Sequence, residues 1–433
     1  MLEIMRNAWK VKEIRNKILF TILIIAIFRI GAVIPVPYIN SAQLAADITS
    51  TDAAATGREF FNYLSILTGG GLEYGAIFSM SVTPYINASI IIQLLCVAIP
   101  ALERLSKEGE EGQKKLASIT RYSTVGLALI QGVAYFFYLK NSGYLDTNVK
   151  GGWTVFAAFV IVLAFTAGSA LVMWLGEQID VKGIGNGISI LLFSGIISRG
   201  PQAFSALYSY WTSLGNKVTV VAIVVAFLVV IAFIVWMTNA ERRIPVQYAK
   251  RVVGNKMYGG QNTHIPIKVN MSGVMPIIFA SSILMVPTMV LSFAPSLADK
   301  SVGKVLALFS TRGVFYAIIY LVLIIAFAYF YATIQFNPVE MANNLRKNGG
   351  AIPGIRPGKP TSDFISKILS RITLLGAIFL SIIAILPIIV GNIGKINISL
   401  GGTSVLIMVG VALETVQNLE SQLMMRHYKG FLD

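Results

Sequence analysis

Long stretches without charge alternate along the chain with shorter stretches that collect it. The apolar runs are about 18 residues or longer, the length a helix needs to cross a hydrocarbon core roughly 30 Å thick. Ten spans are predicted, near 18–36, 74–99, 118–139, 153–175, 184–199, 217–238, 271–293, 312–336, 364–390 and 401–417. In lipid every backbone group must find its partner internally, so these spans read as helices. The alternation of a membrane barrel is absent. The expected fold class is an all-α polytopic membrane protein. The fifth and tenth spans are short and glycine-bearing, and they hold the same place in two halves of five.

A local motif supports that division. "TPYINAS" (83–89) in span 2 and "MPIIFAS" (275–281) in span 7 overlay Pro84 on Pro276, Ile86 on Ile278, Ala88 on Ala280 and Ser89 on Ser281. A five-span repeat has opposite membrane orientation in its two copies, the plan of many inverted-repeat membrane proteins. The halves are expected at 1–199 and 200–433, with large loops at about 239–270 and 337–363. Each proline is read as a break in its helix.

The loops then decide orientation. Lys and Arg crowd the N-terminal segment and the loops after spans 2, 6 and 8. The loop after span 1 holds only Arg58, and the loop after span 9 only Lys395. Cytoplasmic loops collect Lys and Arg, which puts both termini in the cytoplasm. The first span has the basic head of a signal peptide. It is too long for one and lacks a small-residue cleavage site before "IPVPY", so it is expected to stay as a helix.

Composition narrows the chemistry. The formal net charge of +15 would suggest nucleic acid in a soluble chain, but here loop topology explains most of it. The single cysteine, Cys96, excludes an intrachain disulfide, and two histidines, His264 and His427, offer no metal-ligand spacing. No HExxH, phosphate loop or hydrolytic triad is present, so no enzyme activity and no cofactor are expected. Ion-coupled carriers keep carboxylates at depth. Here Glu73, Glu177 and Glu414 sit near span ends, where water can reach them, and Arg29 in span 1 can snorkel or pair. The neutral polar residues Asn87, Gln93, Gln131 and Thr166 read first as hydrogen-bond glue between helices.

Two segments stand apart. "FFNYLSILTGGG" (60–71) is too short to cross and ends in three glycines that stop a helix and give a hinge. It is either a surface helix, which periodicity slightly favours, or a piece folded back into a cavity. The loop "ERRIPVQYAKRVVGNKMYGGQNTHIPIKVN" alternates polar and apolar residues around "IPVQYA" and "HIPIKV", which suggests a projecting hairpin. Its arginines would suit an acidic partner, ribosomal RNA among them. A small-solute carrier and a membrane scaffold remain open on these grounds.

"TPYINASIIIQLL", "GIGNGISILLF", "RRIPVQYAKR", "THIPIKVNMSGVMPIIFASSI", "IPGIRPGKPT" and "GGTSVLI" closely resemble the bacterial SecY family, channel subunits of the general protein-secretion translocon. The resemblance runs nearly full length. It implies two five-helix halves around a central hourglass pore in the bacterial inner membrane. The mid-membrane ring would be Val82, Ile86, Ile188, Leu192, Ile278 and Ile407, where Val82 and Leu192 depart from a mostly isoleucine pattern. The plug would be the 60–71 segment, with Phe60, Phe61, Leu64, Ile66 and Leu67 as its body and Gly69, Gly70 and Gly71 as its hinge. The lateral gate would lie on spans 2 and 7, with Pro84, Asn87, Gln93, Pro276, Ser281 and Ser282. Docking of motor or ribosome would use Arg242, Arg243, Lys250, Arg251 and Arg356. The implied function is passage of unfolded polypeptides across the membrane, with sideways release of signal sequences and membrane helices into lipid. The implied partners are SecE-like and SecG-like small subunits, a SecA motor ATPase, the ribosome, secretory preproteins, nascent membrane proteins and membrane lipids.

Overall fold

The computed structural model describes residues 6, 8–49, 65, 68–146, 153–213, 217–248, 251–253, 256–258, 263–271, 273–293, 313–394 and 402–429. In chain order the elements are α1 (Lys12–Gly31), α2 (Ser41–Thr49), α3 (Thr83–Ala98), α4 (Pro100–Lys107), α5 (Glu110–Asn141), α6 (Trp153–Lys182), α7 (Gly187–Ile197), α8 (Gly200–Ser213) and α9 (Lys217–Thr238). They continue with β1 (Glu241–Tyr248), β2 (Arg251–Val253), β3 (Lys256–Tyr258), β4 (Thr263–Lys268), α10 (Met275–Phe293), α11 (Val314–Gln335), α12 (Pro338–Lys347), β5 (Gly350–Ala351), α13 (Lys359–Gly394) and α14 (Gly402–Lys429). Each predicted span falls on a helix: α1, α3, α5, α6, α7, α9, α10, α11, α13 and α14.

Among the described residues, α5, α6, α9, α11 and α13 are long and apolar enough to cross a bilayer unaided. The pair α3 and α4, bent by 103°, makes a sixth span if taken together. The other four fall short for visible reasons. Charges at Lys12, Glu13, Arg15, Lys17 and Arg29 interrupt α1. Helix α7 has only 11 residues, the apolar part of α10 runs Met275–Pro287, and α14 turns polar after its first half.

The largest departure from expectation is span 2. Hydropathy predicts helix from 74, but α3 begins at Thr83, and 69–82 is a chain of turns. Gly69, Gly70, Gly75 and Ser81 all have positive φ (64°, 92°, 56° and 47°), which a right-handed helix cannot contain. The turns satisfy their own backbone: Ala76 N–H donates to Gly71 O (2.9 Å) and Ser81 N–H to Phe78 O (2.9 Å). They also pair with the chain after α1, where Val36 N–H donates to Gly75 O (2.9 Å) and Ile77 N–H to Ile34 O (3.0 Å). Irregular backbone is tolerable at membrane depth where protein buries it. Here Leu72, Ala76, Phe78, Ser79, Ser81 and Val82 are all buried.

The chain divides into two compact units. The first comprises Met1–Asn216, Leu284–Gly313 and Val411–Asp433. Its core joins Val36, Ile39, Leu44 and Leu72 to Tyr135, Phe136 and Leu139 of α5 and to Ile161 and Phe165 of α6. A second cluster, Ala8, Ile14, Ile184 and Leu419, ties the N-terminal segment to the end of α14. Helices α6 and α7 meet through glycine: a Cβ on Gly187 would strike the carbonyl of Gly176, so only glycine permits this approach.

The second unit comprises Lys217–Ile283 and Val314–Gly410. The expected hairpin is present. β1 and β4 pair antiparallel from Glu241↔Lys268 to Val246↔Thr263, and β2 and β3 continue as a short ribbon. β5 joins the other edge of β1, giving the order β4-β1-β5. The two large loops, separate in sequence, are therefore one folded body. Its core packs Ile244, Val246 and Ile267 against Leu345 of α12, Ile352, and Ile365, Leu369 and Ile372 of α13. Asn337 caps α12 by accepting from the N–H groups of Val339 (3.1 Å) and Glu340 (3.4 Å).

Candidate functional site

The ring candidates share one local setting, the beginning of an apolar helix. Val82, 1 % exposed, is the N-cap residue of α3, and Ile86 follows half-buried in its first turn. Ile188 opens α7, with Leu192 one turn later on the same face and buried. These four belong to the first unit. Ile278, half-buried in the first turn of α10, and Ile407, buried in the second turn of α14, belong to the second. The start of α7 is pinned from two sides: Asn186 Oδ1 accepts from Ser189 N–H (3.0 Å), and Asp180 Oδ1 at the end of α6 accepts from Gly187 N–H (2.7 Å).

Pro84 and Pro276 do not interrupt their helices, as the motif suggested. Each sits in the first turn, where a missing N–H costs nothing and the fixed φ favours helix entry. Of the two helices, only α10 carries an interior proline, Pro287. The polar gate candidates bond locally. Gln93 Nε2 donates to Ser89 Oγ one turn away (3.3 Å), and Ser281 Oγ donates to Ile278 O (2.9 Å). Asn87 and Ser282 are half-buried. Thr166 likewise donates to Val162 O in its own helix (2.8 Å). For Gln93 and Thr166 the expected glue between helices is thus a bond within one.

Of the plug candidates, Phe60, Phe61, Leu64, Ile66 and Leu67 lie outside the described residues, while the hinge Gly69, Gly70 and Gly71 is described in detail. Gly70 N–H donates to Ser65 O (2.8 Å), closing a turn across positive-φ glycines. Two arginines surround it. Arg29 from α1 donates to Gly69 O (3.3 Å) and to Ser194 O near the end of α7 (2.8 Å). Arg199, just past α7, pairs with Glu73 and donates to Ser65 Oγ (2.5 Å), and Ser65 Oγ donates to Glu73 Oε1 (2.9 Å). Ser198 Oγ reaches Gly69 O at 3.4 Å. Glu73 was expected to be hydrated; it is instead 5 % exposed and ion-paired. Arg199 carries no motif, and its one signal in the sequence is a charge placed between two apolar segments, which points to a partner.

The docking candidates divide by exposure. Arg242 and Arg243 are both exposed at the start of β1, before the strand settles into alternation with the buried Ile244 and Val246; Arg243 Nε also donates to Glu241 Oε1 (2.7 Å). Arg251 begins β2, and Lys250 lies outside the described residues. Arg356 is exposed at the tip of a turn in which Gly354 and Gly358 have positive φ (79° and 105°). The turn is fixed by Ile355 N–H donating to Ile352 O (3.1 Å) and by Thr361 Oγ1 donating to Arg356 O (2.8 Å).

Comparison with known proteins identifies this architecture. The family model for SecY matches residues 76–416. The protein translocase subunit SecY of Mycobacterium tuberculosis (strain H37Rv) is 43% identical, covering 100% of both chains. Among solved structures, one of a protein-conducting channel aligns with TM-score 0.62 over 94% of this chain and 92% of that chain, at 16% identity. A second concerns the plug domain of a SecY protein and its role in the closed state and the membrane seal; it aligns at 0.59 with 18% identity, over the same 94% and 92%. A third, canine Sec61 in a ribosome–channel complex from the endoplasmic reticulum, aligns at 0.57 with 16% identity, over 94% and 92%. The chain belongs to the SecY family, the channel subunits of the Sec protein translocon, and is a transporter, not an enzyme.

Proposed function

We propose that polypeptides cross through a waist formed by Val82, Ile86, Ile188, Leu192, Ile278 and Ile407, closed at rest by the 60–71 segment. The observation that carries this reading is the common position of the six residues at the starts of α3, α7, α10 and α14. Discontinuous helices that begin at depth are how membrane transport proteins build a central site. Aliphatic side chains there exclude water and ions by dewetting, and offer a passing chain no hydrogen bonds to hold it. Helices α3 and α10, with Pro84, Asn87, Gln93, Pro276, Ser281 and Ser282, form the lateral gate to lipid. Pro84 and Pro276 each sit in the first turn of a gate helix, and Ile86 and Ile278 follow two residues later in each.

The sheet β4-β1-β5 and the Arg356 turn face the cytoplasm of a bacterial inner membrane, and both termini lie on that side. Arg242, Arg243, Lys250, Arg251 and Arg356 receive the SecA-like motor or the ribosome, and SecE-like and SecG-like subunits complete the complex. The two five-span halves, 1–199 and 200–433, form the walls of the pore. Support comes from the hydrogen-bonded, exposed turn at Arg356 and the exposure of Arg242 and Arg243 at the start of β1.

The test places a photo-crosslinking residue at Ile278 and, as control, at the exposed Ile318 of α11. A secretory precursor is then stalled midway through translocation. Crosslinking at Ile278 but not at Ile318 is expected. An engaged complex that crosslinks at neither position would remove the waist from the path.

A further inference from the structure

The geometry points to a latch: Glu73, Arg199 and Arg29 are positioning residues that hold the glycine hinge of the 60–71 segment shut and so set how readily the channel opens. This rests on the reading of that segment as a plug.

A run of three glycines is a poor fixture by itself, since glycine loses more conformational freedom on ordering than any other residue. Here two polar clasps order it. The first closes over the hinge: Ser65 lies before the glycines and Glu73 after them, and Ser65 Oγ donates to Glu73 Oε1 (2.9 Å). Arg199 binds both, through the ion pair and through its bond to Ser65 Oγ (2.5 Å). The second clasp fastens the hinge to its surroundings. Arg29 reaches Gly69 O with one terminal nitrogen (3.3 Å) and Ser194 O with the other (2.8 Å). That second contact puts a cation beside the last-turn carbonyls of α7, where Ser194 O also accepts from Ser198 N–H (3.2 Å). A side chain at Gly69 would collide with the Arg29 guanidinium and with Ser198 Oγ, so the hinge is fitted to the clasp.

The chemistry suits release as well as closure. Ser65, Thr68, Glu73 and Arg199 are all buried. A buried ion pair gains little over its hydrated partners, because desolvation cancels most of the attraction. Only one terminal nitrogen of Arg199 is bonded in this cluster and its Nε is buried without a partner among the described residues, so the pairing is costly to hold, whereas breaking only one partner leaves the other charge stranded. The pair makes the closed state specific without making it deep.

The experiment uses the complete translocon complex in planar bilayers and in an export assay with a precursor carrying a defective signal sequence. Glu73→Gln should raise both ion leak and export of the defective precursor by about tenfold, the shift expected when one state alone loses a charged contact. Exchanging the charges, Glu73→Arg with Arg199→Glu, should restore much of the seal. A merely misfolded chain would lower transport and not raise it. Wild-type leak and wild-type selectivity in Glu73→Gln would overturn the latch. If that variant does not accumulate in the complex, Arg29→Lys decides, since it keeps the charge but replaces the two-nitrogen fork that reaches Gly69 O and Ser194 O with a single ammonium. A raised leak supports the latch, and a tight seal overturns it. Deletion of 60–67 separates the two readings. A deletion that leaves the seal intact removes the plug reading itself, whereas a leaky deletion beside a tight Glu73→Gln removes only the latch.

Discussion

Two glycine-to-alanine substitutions in the first unit should act with opposite sign. Gly187 begins α7 with its Cα against the Gly176 carbonyl, and an added Cβ would also lie 2.9 Å from Ile179 Cβ. The obstruction is backbone, which cannot rotate away, so α7 must shift. That shift would strain the bond from Gly187 N–H to Asp180 Oδ1 (2.7 Å). Overpacking of this kind costs about 1–3 kcal/mol, and a weakened hydrogen bond adds about 1 kcal/mol. Gly126, in the middle of α5, has nothing within 4 Å of its would-be Cβ. Alanine there meets no obstacle and gains up to about 1 kcal/mol of helix propensity. Cys96, the only cysteine of the chain and half-buried in α3, supplies the probe. A thiol-reactive fluorogenic dye reports its exposure during a temperature ramp of the purified complex. Gly187→Ala should melt below the parent and Gly126→Ala at or above it. Equal shifts of the same sign would refute the claim that the α6–α7 contact is set by backbone approach.

Three further outcomes are expected. Ile407→Asn puts an amide where a side chain is 2 % exposed; a buried amide costs about 1–3 kcal/mol in proteins, so the closed state should loosen and ion leak in reconstituted vesicles should rise. Arg356→Glu should lower motor-driven translocation severalfold while amide exchange across β1 and β4 stays unchanged, because the side chain projects from its turn without supporting the sheet. Asn337→Ala removes the cap of α12 and should cost about 0.5–2 kcal/mol, read as faster amide exchange at Val339 and Glu340 with no effect on α11.

Hydropathy located ten helices because charge is expensive in lipid and leaves a strong mark on sequence. It failed at 74–82 because burial, not helix, is what the apolar residues there record. The positive-φ glycines carry the conformational information, and a hydropathy window averages over them. Polar residues within spans were harder to place. Gln93 and Thr166 bond within their own helices, a choice made by side-chain reach and not by residue type. Glu73 looked exposed because its partner, Arg199, is distant in sequence and belongs to a segment boundary where a basic residue draws no notice. The β1–β4 hairpin was legible from alternation. The pairing of β5 with β1 was not, since a strand of two residues has no period to read.

That last pairing changes what a cytosolic partner can do. A loop that hangs freely from two helices transmits nothing to the rest of the chain beyond its own slack. Here the ladder from Glu241↔Lys268 to Val246↔Thr263, the β1–β5 edge, and the core of Ile244, Ile267, Leu345 and Ile365 weld two loops into one handle. The handle is rooted at the start of α13 through Lys359 and, by way of 269–274, at the start of α10. A ligand that tilts it applies torque to both helices at once, and the stiffness of the sheet sets how little of that motion is lost.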